Sequence, residues 1–451
     1  MSQTSRRAFL ASTVVASAAV ALRTVEARPR ESRGNPFANV KGIPENVKRI
    51  PSDQYPLPFS EAEYADRLNK CRQAMSNAKI ELLYVTWPEG ICYLSGYEVS
   101  WFRGNSSTEW FPFTAIAVHV DHDNLLLVGG EDPIPCAAKE RREIHEEASP
   151  ENMASIVVKI LQKEGWLERG TRVGLEYWSY IPPRAVSEVE ERAFAMAGAT
   201  VVDGSMVMRS IRLVKSPAEI EVMEYAAQLG DLAIQAVADH FKPGMSHCEV
   251  YAEATYAMYK AGGEVAGIAQ DVQPGRPRST HLLPSRRQIQ AGEPFAVDMA
   301  GVYKRYHANV DRTYLWGDPT PELRRIDDAA KRGLDLFLKI AKSGTSVDEV
   351  GHALHRYYEE KDIWRLHEYI GGYELGIAFA PDWVGQFVWV AELKTGAVFQ
   401  QNMITNYESN FRNGDLKYPY PQISLFRDTV VYQPNGARKL SAIPSSLIAL
   451  G

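Results

Sequence analysis

Apolar positions between residues 60 and 80 recur at helical spacing. Tyr64, Leu68, Cys71 and Met75 fall on one face behind Ser60 and Glu63, the Ser-x-x-Glu pattern of a capping box. A helix is therefore predicted to open at Ser60. A short apolar run at 82–86 reads as a buried strand, 91–96 as a helical turn, and 113–120 with 124–128 as a hairpin over Asp121-His122-Asp123. Helical spacing at 153–164 is followed by a strand at 172–177, and helical spacing at 183–197 by a strand at 200–202. Strands alternating with helices predict an α/β domain over 58–205.

A second unit, 206–451, is predicted from the change of pattern near Met208. The run from Arg209 to Ile220 leads into a long amphipathic helix ending near His240. Ser246 with Glu249 then caps a second helix to about Lys260. Strand-like runs at 294–299 and 303–315, helices at 322–341 and 347–360, and a strand-rich region from 371 to 439 complete it. Two helix pairs bracketing hairpins is the pattern of an internally duplicated α+β domain, without a sequence repeat clear enough to establish duplication. The stretch 295–314, FAVDMAGVYKRYHANVDRTY, concentrates candidate chemistry. An apolar run reaches Asp298, Gly301 is expected to turn the chain, and the return segment delivers Tyr306, His307, Asn309 and Asp311 ahead of Arg312. This reads as a β-hairpin with polar groups on its inner face.

Composition narrows the function classes. Of 451 residues, 45% are apolar and 24% charged, as in soluble globular proteins. The formal charge is −6 with both signs mixed along the chain, so no basic stripe for nucleic acid exists. Cys71, Cys92, Cys136 and Cys248 lack C-x-x-C spacing and are expected to be four buried thiols rather than a zinc or redox site, with one disulfide in an oxidising compartment as the alternative. Residues 1–27 carry Ser5-Arg6-Arg7-Ala8-Phe9-Leu10, an apolar run at 11–22 too short to span a bilayer, and a small-residue cleavage site at Val25-Glu26-Ala27. They resemble a twin-arginine signal, which places the mature protein in the periplasm with no membrane attachment. Removing the segment's three Arg and one Glu takes the charge from −6 to −8. Residues 28–57 read as an extended lead-in. In the loop Trp101-Phe102-Arg103-Gly104, two aromatics and an Arg stand where polar residues are usual, the composition of interface anchors.

Six ordered markers resemble the pita-bread superfamily of aminopeptidases, creatinase and ectoine hydrolase across roughly 58–445. They are Arg212-x-x-Lys215-Ser-Pro-x-Glu219-Ile220, His281, the Asp298 hairpin, Gly372-Tyr-Glu-Leu-Gly376, Met403-Ile-Thr-Asn-Tyr-Glu408, and Arg427-Asp428-Thr429-Val430. The resemblance implies an N-terminal creatinase-type α/β domain followed by a C-terminal pita-bread domain, α+β in class. In the aminopeptidases two Asp, one His and two Glu hold two metal ions. At the matching positions this chain has Asp298, Asn309, Tyr373, Glu408, and either Arg427 or Phe426 depending on a one-residue shift. Neutral groups and a guanidinium are poor metal ligands, so neither metal nor other cofactor is expected. The metal-free creatinase and ectoine hydrolase branch implies His281 as general base and then acid, with Asp311 and Glu408 clamping a small cationic or zwitterionic substrate. Asp298, His307, Asn309, Tyr373 and Arg427 are the expected substrate-binding groups. Trp101, Phe102 and Arg103 join them across a homodimer interface. A divergent Xaa-Pro-type metallopeptidase, a non-catalytic binding protein and a lyase remain open as other readings.

Overall fold

The oxygen of Ser60 accepts a hydrogen bond from the Glu63 amide (3.3 Å) and starts α1 (Glu61–Ala78), whose buried face carries Tyr64, Leu68, Cys71 and Met75 as the spacing predicts. The structure is a computed structural model and describes residues 57–99, 102, 113–129, 140–142, 149–268, 271–274 and 284–451. After α1 come β1 (Leu82–Val85), α2 (Pro88–Ser95), β2 (Ala115–His119), β3 (Leu125–Val128), β4 (Glu140–Arg142), α3 (Pro150–Lys163), β5 (Arg172–Leu175), α4 (Arg184–Met196) and β6 (Thr200–Asp203). They build a mixed sheet of order β4-β3-β2-β1-β5-β6. Helices α3 and α4 cover one of its faces. The other face packs on α1, α2 and apolar groups of the second domain, among them Val302, Tyr306, Leu375, Ile377 and Ile404.

A linking helix, α5 (Ser205–Leu213), leads to the second domain. There α6 (Pro217–His240), α7 (His247–Lys260), β7 (Asp271–Pro274), β8 (Phe295–Tyr303) and β9 (Tyr306–Trp316) form one half. The other half contains α8 (Pro321–Ile340), α9 (Val347–Glu360), β10 (His367–Tyr373), β11 (Val388–Val390), β12 (Ile404–Asn413) and β13 (Gln422–Gln433). It ends with β14 (Gly436–Lys439) and β15 (Ile448–Leu450). One sheet of order β11-β10-β12-β13-β9-β8-β7 runs through both halves, with β14 on β13 and β15 on β9. Helices α6 and α7 pack on β8 and β9, while α8 and α9 pack on β10, β12 and β13. Strand alternation then leaves the opposite face for polar groups.

The duplication is visible in the helix pairs. Lys242-Pro-Gly244-Met-Ser246-His-Cys-Glu249-Val250 and Lys342-Ser-Gly344-Thr-Ser346-Val-Asp-Glu349-Val350 match at an offset of 100 residues. In each, the glycine has positive φ (95° and 88°), and the serine caps the following helix by accepting the Glu amide at 3.3 and 3.4 Å. The shared pattern is too short to stand out in the sequence.

Two expectations need correction. The hairpin turns at Lys304 and Arg305, with φ of 50° and 63°, and not at Gly301. Two successive left-handed residues suit the right-handed twist of the paired strands, and the Glu264 carboxylate accepts both turn amides at 2.6 and 2.9 Å. Gly301 lies within β8, where a Cβ would meet the Ala226 carbonyl oxygen of α6 at 1.7 Å. Its smallness lets helix and strand touch through their backbones. The second correction concerns Cys248, which is exposed, whereas Cys71 and Cys92 are buried; Cys136 lies outside the described residues.

Candidate functional site

Register places one transverse row of charged residues across the polar face of the second sheet. Asp271 pairs with Asp298, Asp298 with Asp311, Asp311 with Arg427, and Arg427 with Glu408, on β7, β8, β9, β13 and β12 in turn. Four carboxyl groups thus stand beside one guanidinium. Arg427 Nη1 donates to Asp311 and lies 3.2 Å from Asp298 Oδ2, while its Nε lies 3.2 Å from Glu408 Oε2. Every member of the row is buried. The one-residue ambiguity between Arg427 and Phe426 is thereby resolved: Arg427 faces the carboxylates, and Phe426 packs with the helix-side core.

Like charges directly opposite one another on adjacent strands repel, and burial adds to the cost of ionisation. Both effects raise Asp271 and Asp311. Burial dominates in each; Asp298 adds to the shift and Arg427 opposes it. The two carboxyls therefore titrate as members of one group. Amides brace the row. Asn309 Nδ2 donates to Asp298 Oδ1 (2.6 Å) and to the Met299 carbonyl (3.1 Å), and Asn406 Nδ2 donates to Glu408 Oε1 (2.8 Å) and Asn309 Oδ1 (3.3 Å). Asn410 reaches Glu408 Oε2 at 3.5 Å. Oδ1 of Asp311 is buried with no protein partner, so one carboxylate oxygen of the row remains to receive a donor from a ligand.

The remaining predicted residues fall in different places. The Tyr373 amide donates to Asn406 Oδ1 (2.8 Å), and its hydroxyl accepts from Trp383 Nε1 (3.0 Å). Burial and the charges of Glu408 and Asp298 hold that phenol well above its ordinary range. His307 is fully buried, with Nε2 accepting from the Gly267 amide (2.7 Å) and Nδ1 against the Arg305 carbonyl (2.8 Å). Burial and nearby Arg305 push it down to about 3, so it stays neutral and serves to position the backbone of the Gly267 segment. Phe102 packs edge-on against Phe379 of its own chain, at 5.6 Å between ring centroids. His281, Trp101 and Arg103 lie outside the described residues.

The Asp311 carboxylate does not pair with its neighbour Arg312, whose Nη1 donates to the Asp311 backbone carbonyl (2.6 Å). Alternation sends Arg312 to the helix side, where it meets Asp428 at 2.7 Å in a fully buried pair. Asp271, Asn406 and Asn410 are site residues that sequence reasoning missed. Asn406-x-Glu408-x-Asn410 has the period of two that places all three on one strand face, and this signal was present in the sequence. Asp271 had none, because a four-residue strand shows too little periodicity.

The Arg212-to-Ile220 marker fastens the linking helix and the start of α6 to the second domain, and Ser216 Oγ ties it to the first by donating to Glu63 Oε1 (2.8 Å). Arg212 Nη2 donates to the Ile377 carbonyl (2.7 Å) and Lys215 Nζ to Glu374 Oε1 (2.7 Å). Glu219 closes the α6 capping box and accepts from the Tyr306 hydroxyl (2.8 Å). From the first domain, Glu89 Oε1 accepts the Phe379 amide at 2.9 Å. The loop that runs from Tyr373 past Trp383 is therefore held from both sides.

Comparison with known proteins agrees with this architecture. Residues 67–214 match the Creatinase/Prolidase N-terminal domain, and residues 221–431 match Metallopeptidase family M24. Ectoine hydrolase from Halomonas elongata is 26% identical over 367 residues, spanning 73% of this chain and 84% of that protein. Xaa-Pro dipeptidase from Pyrococcus horikoshii is 23% identical over 287 residues, 62% and 76% of the respective chains. The solved Xaa-Pro dipeptidase from Bacillus anthracis superposes with a TM-score of 0.68 at 17% identity, over 86% of this chain and 100% of that one, a likeness of fold. With a creatinase-type N-terminal domain joined to an M24-type domain of two similar halves, the chain belongs to the pita-bread superfamily and its M24 family of hydrolases and peptidases.

Proposed function

We propose that the protein is a metal-independent hydrolase of a C–N bond, amidine, guanidino or amide, in a small cationic or zwitterionic substrate. The observation that carries this reading is the row itself. Four carboxyl groups share one guanidinium, so the face retains negative charge after its own cation is paired. Asp311 Oδ1 and Glu408 supply acceptors for the N–H groups of a bound cation, which charge-assisted hydrogen bonds orient strongly. Asp298, with Asn309 and Tyr373 beside it, shapes the remaining polar wall.

The donor set does not fit a divalent metal. Arg427 occupies the point on which Asp298, Asp311 and Glu408 converge and takes up the carboxylate oxygens that a metal ion would need as ligands. Asn309 turns its amide N–H toward Asp298, and its carbonyl oxygen accepts from Asn406 Nδ2 at 3.3 Å. In hydrolysis, water adds to the C–N carbon as a base removes its proton, and the same group then protonates the departing nitrogen. His281 is assigned this role from its place in the sequence pattern.

The ectoine hydrolase relative supports a non-peptide substrate. The dipeptidase relative and the M24 match favour peptide hydrolysis as a second reading. A metabolite screen on EDTA-treated protein, followed by product analysis, separates the two. Turnover should persist without metal and vanish in a folded His281→Ala variant. Activity restored only by added Mn²⁺ or Zn²⁺ would replace this reading with the peptidase one. Export to the periplasm through residues 1–27, and a homodimer bringing Trp101 and Arg103 to a neighbour's site, belong to the same proposal. Fusion of residues 1–30 to a folded reporter and sedimentation of the mature chain test them.

A further inference from the structure

At the carboxyl ends of β1 and β5, two adjacent parallel strands of the first sheet, the chain leaves a cavity of about 280 Å³. The helices that follow these strands part there. Helix α2 packs Ile91, Tyr93 and Leu94 on the face shared with the second domain, whereas α4 packs Val186, Val189 and Phe194 on the opposite face. A crevice where helices leave a parallel sheet on opposite sides is where open α/β sheets bind ligands. It belongs to a different sheet from the carboxylate row.

Three polar atoms on residues lining this cavity have no protein partner. They are Oε1 of Glu190, whose residue is 4% exposed, the hydroxyl of Tyr84, 1% exposed, and Oε1 of Glu176. The second oxygen of Glu176 accepts the amides of Thr86 and Trp87, both at 2.8 Å, which fixes the side chain. Leaving such groups unpaired is costly, and here all three belong to residues that line one cavity. Other charged groups line the cavity as well. Glu188 pairs with Arg184 at 2.5 Å, and Glu191 accepts from the Tyr177 hydroxyl at 3.1 Å. Acid thus exceeds base, and the half-exposed Tyr177 ring adds an aromatic surface suited to a cation. The N–H groups of an organic cation could each donate to one of the three unpartnered oxygens.

We propose that this cavity binds a small organic cation with N–H donors, an alkylammonium or alkylguanidinium, held by Glu190, Glu176 and Tyr84. Its volume lies just below the roughly 300 Å³ at which pockets for drug-sized ligands begin, so the ligand has few heavy atoms. Burial pushes the Glu190 carboxyl up to about 8 and that of Glu176 to about 7, a strain that a bound cation relieves.

Titration calorimetry of methylguanidinium and butylammonium into the full chain, at mildly alkaline pH, tests the proposal. Asp311→Asn serves as the background that weakens binding at the carboxylate row. In that background a saturable site should remain. Adding Glu190→Gln should weaken it about tenfold or more, the scale of one lost charge-assisted hydrogen bond, and Tyr84→Phe should weaken it less. Binding that disappears with Asp311→Asn alone would overturn this inference while supporting the active-site reading. Binding indifferent to both Glu190→Gln and Tyr84→Phe would overturn it too. If circular dichroism shows Glu190→Gln to be unfolded, the Tyr84→Phe titration decides.

Discussion

Arg427 lies at the centre of the charged row, and the residue's surroundings account for its charge. It is enclosed by Asp298, Asp311 and Glu408, and burial of those carboxylates is tolerable only with a compensating cation. Arg427→Met should therefore cost ~3–5 kcal/mol in urea unfolding at neutral pH, as expected when one partner of a buried ionic group is removed. A loss below about 1 kcal/mol would show that the carboxylates are already neutral. The contrast with His307 is instructive. Both residues are polar and lie on the same sheet face, but His307 spends its two ring nitrogens on backbone groups, and nothing in its sequence neighbourhood distinguishes the two situations. Residue identity and period revealed which side chains share a face. Their hydrogen-bond partners come from segments far away in the chain and could not be read from it.

At the scale of elements, most of the fold was legible because helices and strands carry strong periodic signals. The helices α1, α3, α6, α7, α8 and α9 and the strands β8 and β9 lie within a few residues of their predicted positions. The hairpin turn was misplaced because glycine was read for its backbone freedom, whereas Gly301 is required for lack of volume. With its partner Gly230, whose Cβ would come within 2.7 Å of Val310 Cγ1, it brings α6 into direct contact with the hairpin. Gly301→Ala meets backbone on the facing helix and should lose at least ~3 kcal/mol in denaturant unfolding, since neither element can yield without disturbing the row. Gly414→Ala, which meets nothing within 4 Å, should change stability by no more than about 0.5 kcal/mol. Equal losses in the two variants would mean that helix and hairpin are not locked together.

Among the described residues, several carboxyl groups are buried and raised in pKa. Burial is the leading cause for Glu89 and Glu176, each at about 7, and for Asp231 at about 6. A carboxyl whose folded-state pKa exceeds its unfolded value contributes stability fully below that unfolded value, near 4, and loses the contribution as pH rises through 6 to 8. His307 acts oppositely: its folded pKa of about 3 lies below the ordinary 6.5, so its contribution is present above 6.5 and is lost on acidification. The raised carboxyls outnumber the one histidine, so the melting temperature should fall as pH rises from about 5 to 8 and level off above that. Differential scanning calorimetry across that range checks the sign, and a melting temperature still climbing from pH 7 to 9 would contradict it.

The charged row has a further consequence for assembly of the sheet. Its five side chains come from five different strands and meet only when every pairing is in step. A slip of one residue in β8 would turn Asp298 into the apolar layer beneath α6 and α7, and the same slip in β12 would drive Glu408 against Phe337 and Trp389. Four acids and one base thus act as alignment marks during folding, penalising every near-miss arrangement of a sheet whose aliphatic residues alone would accept several.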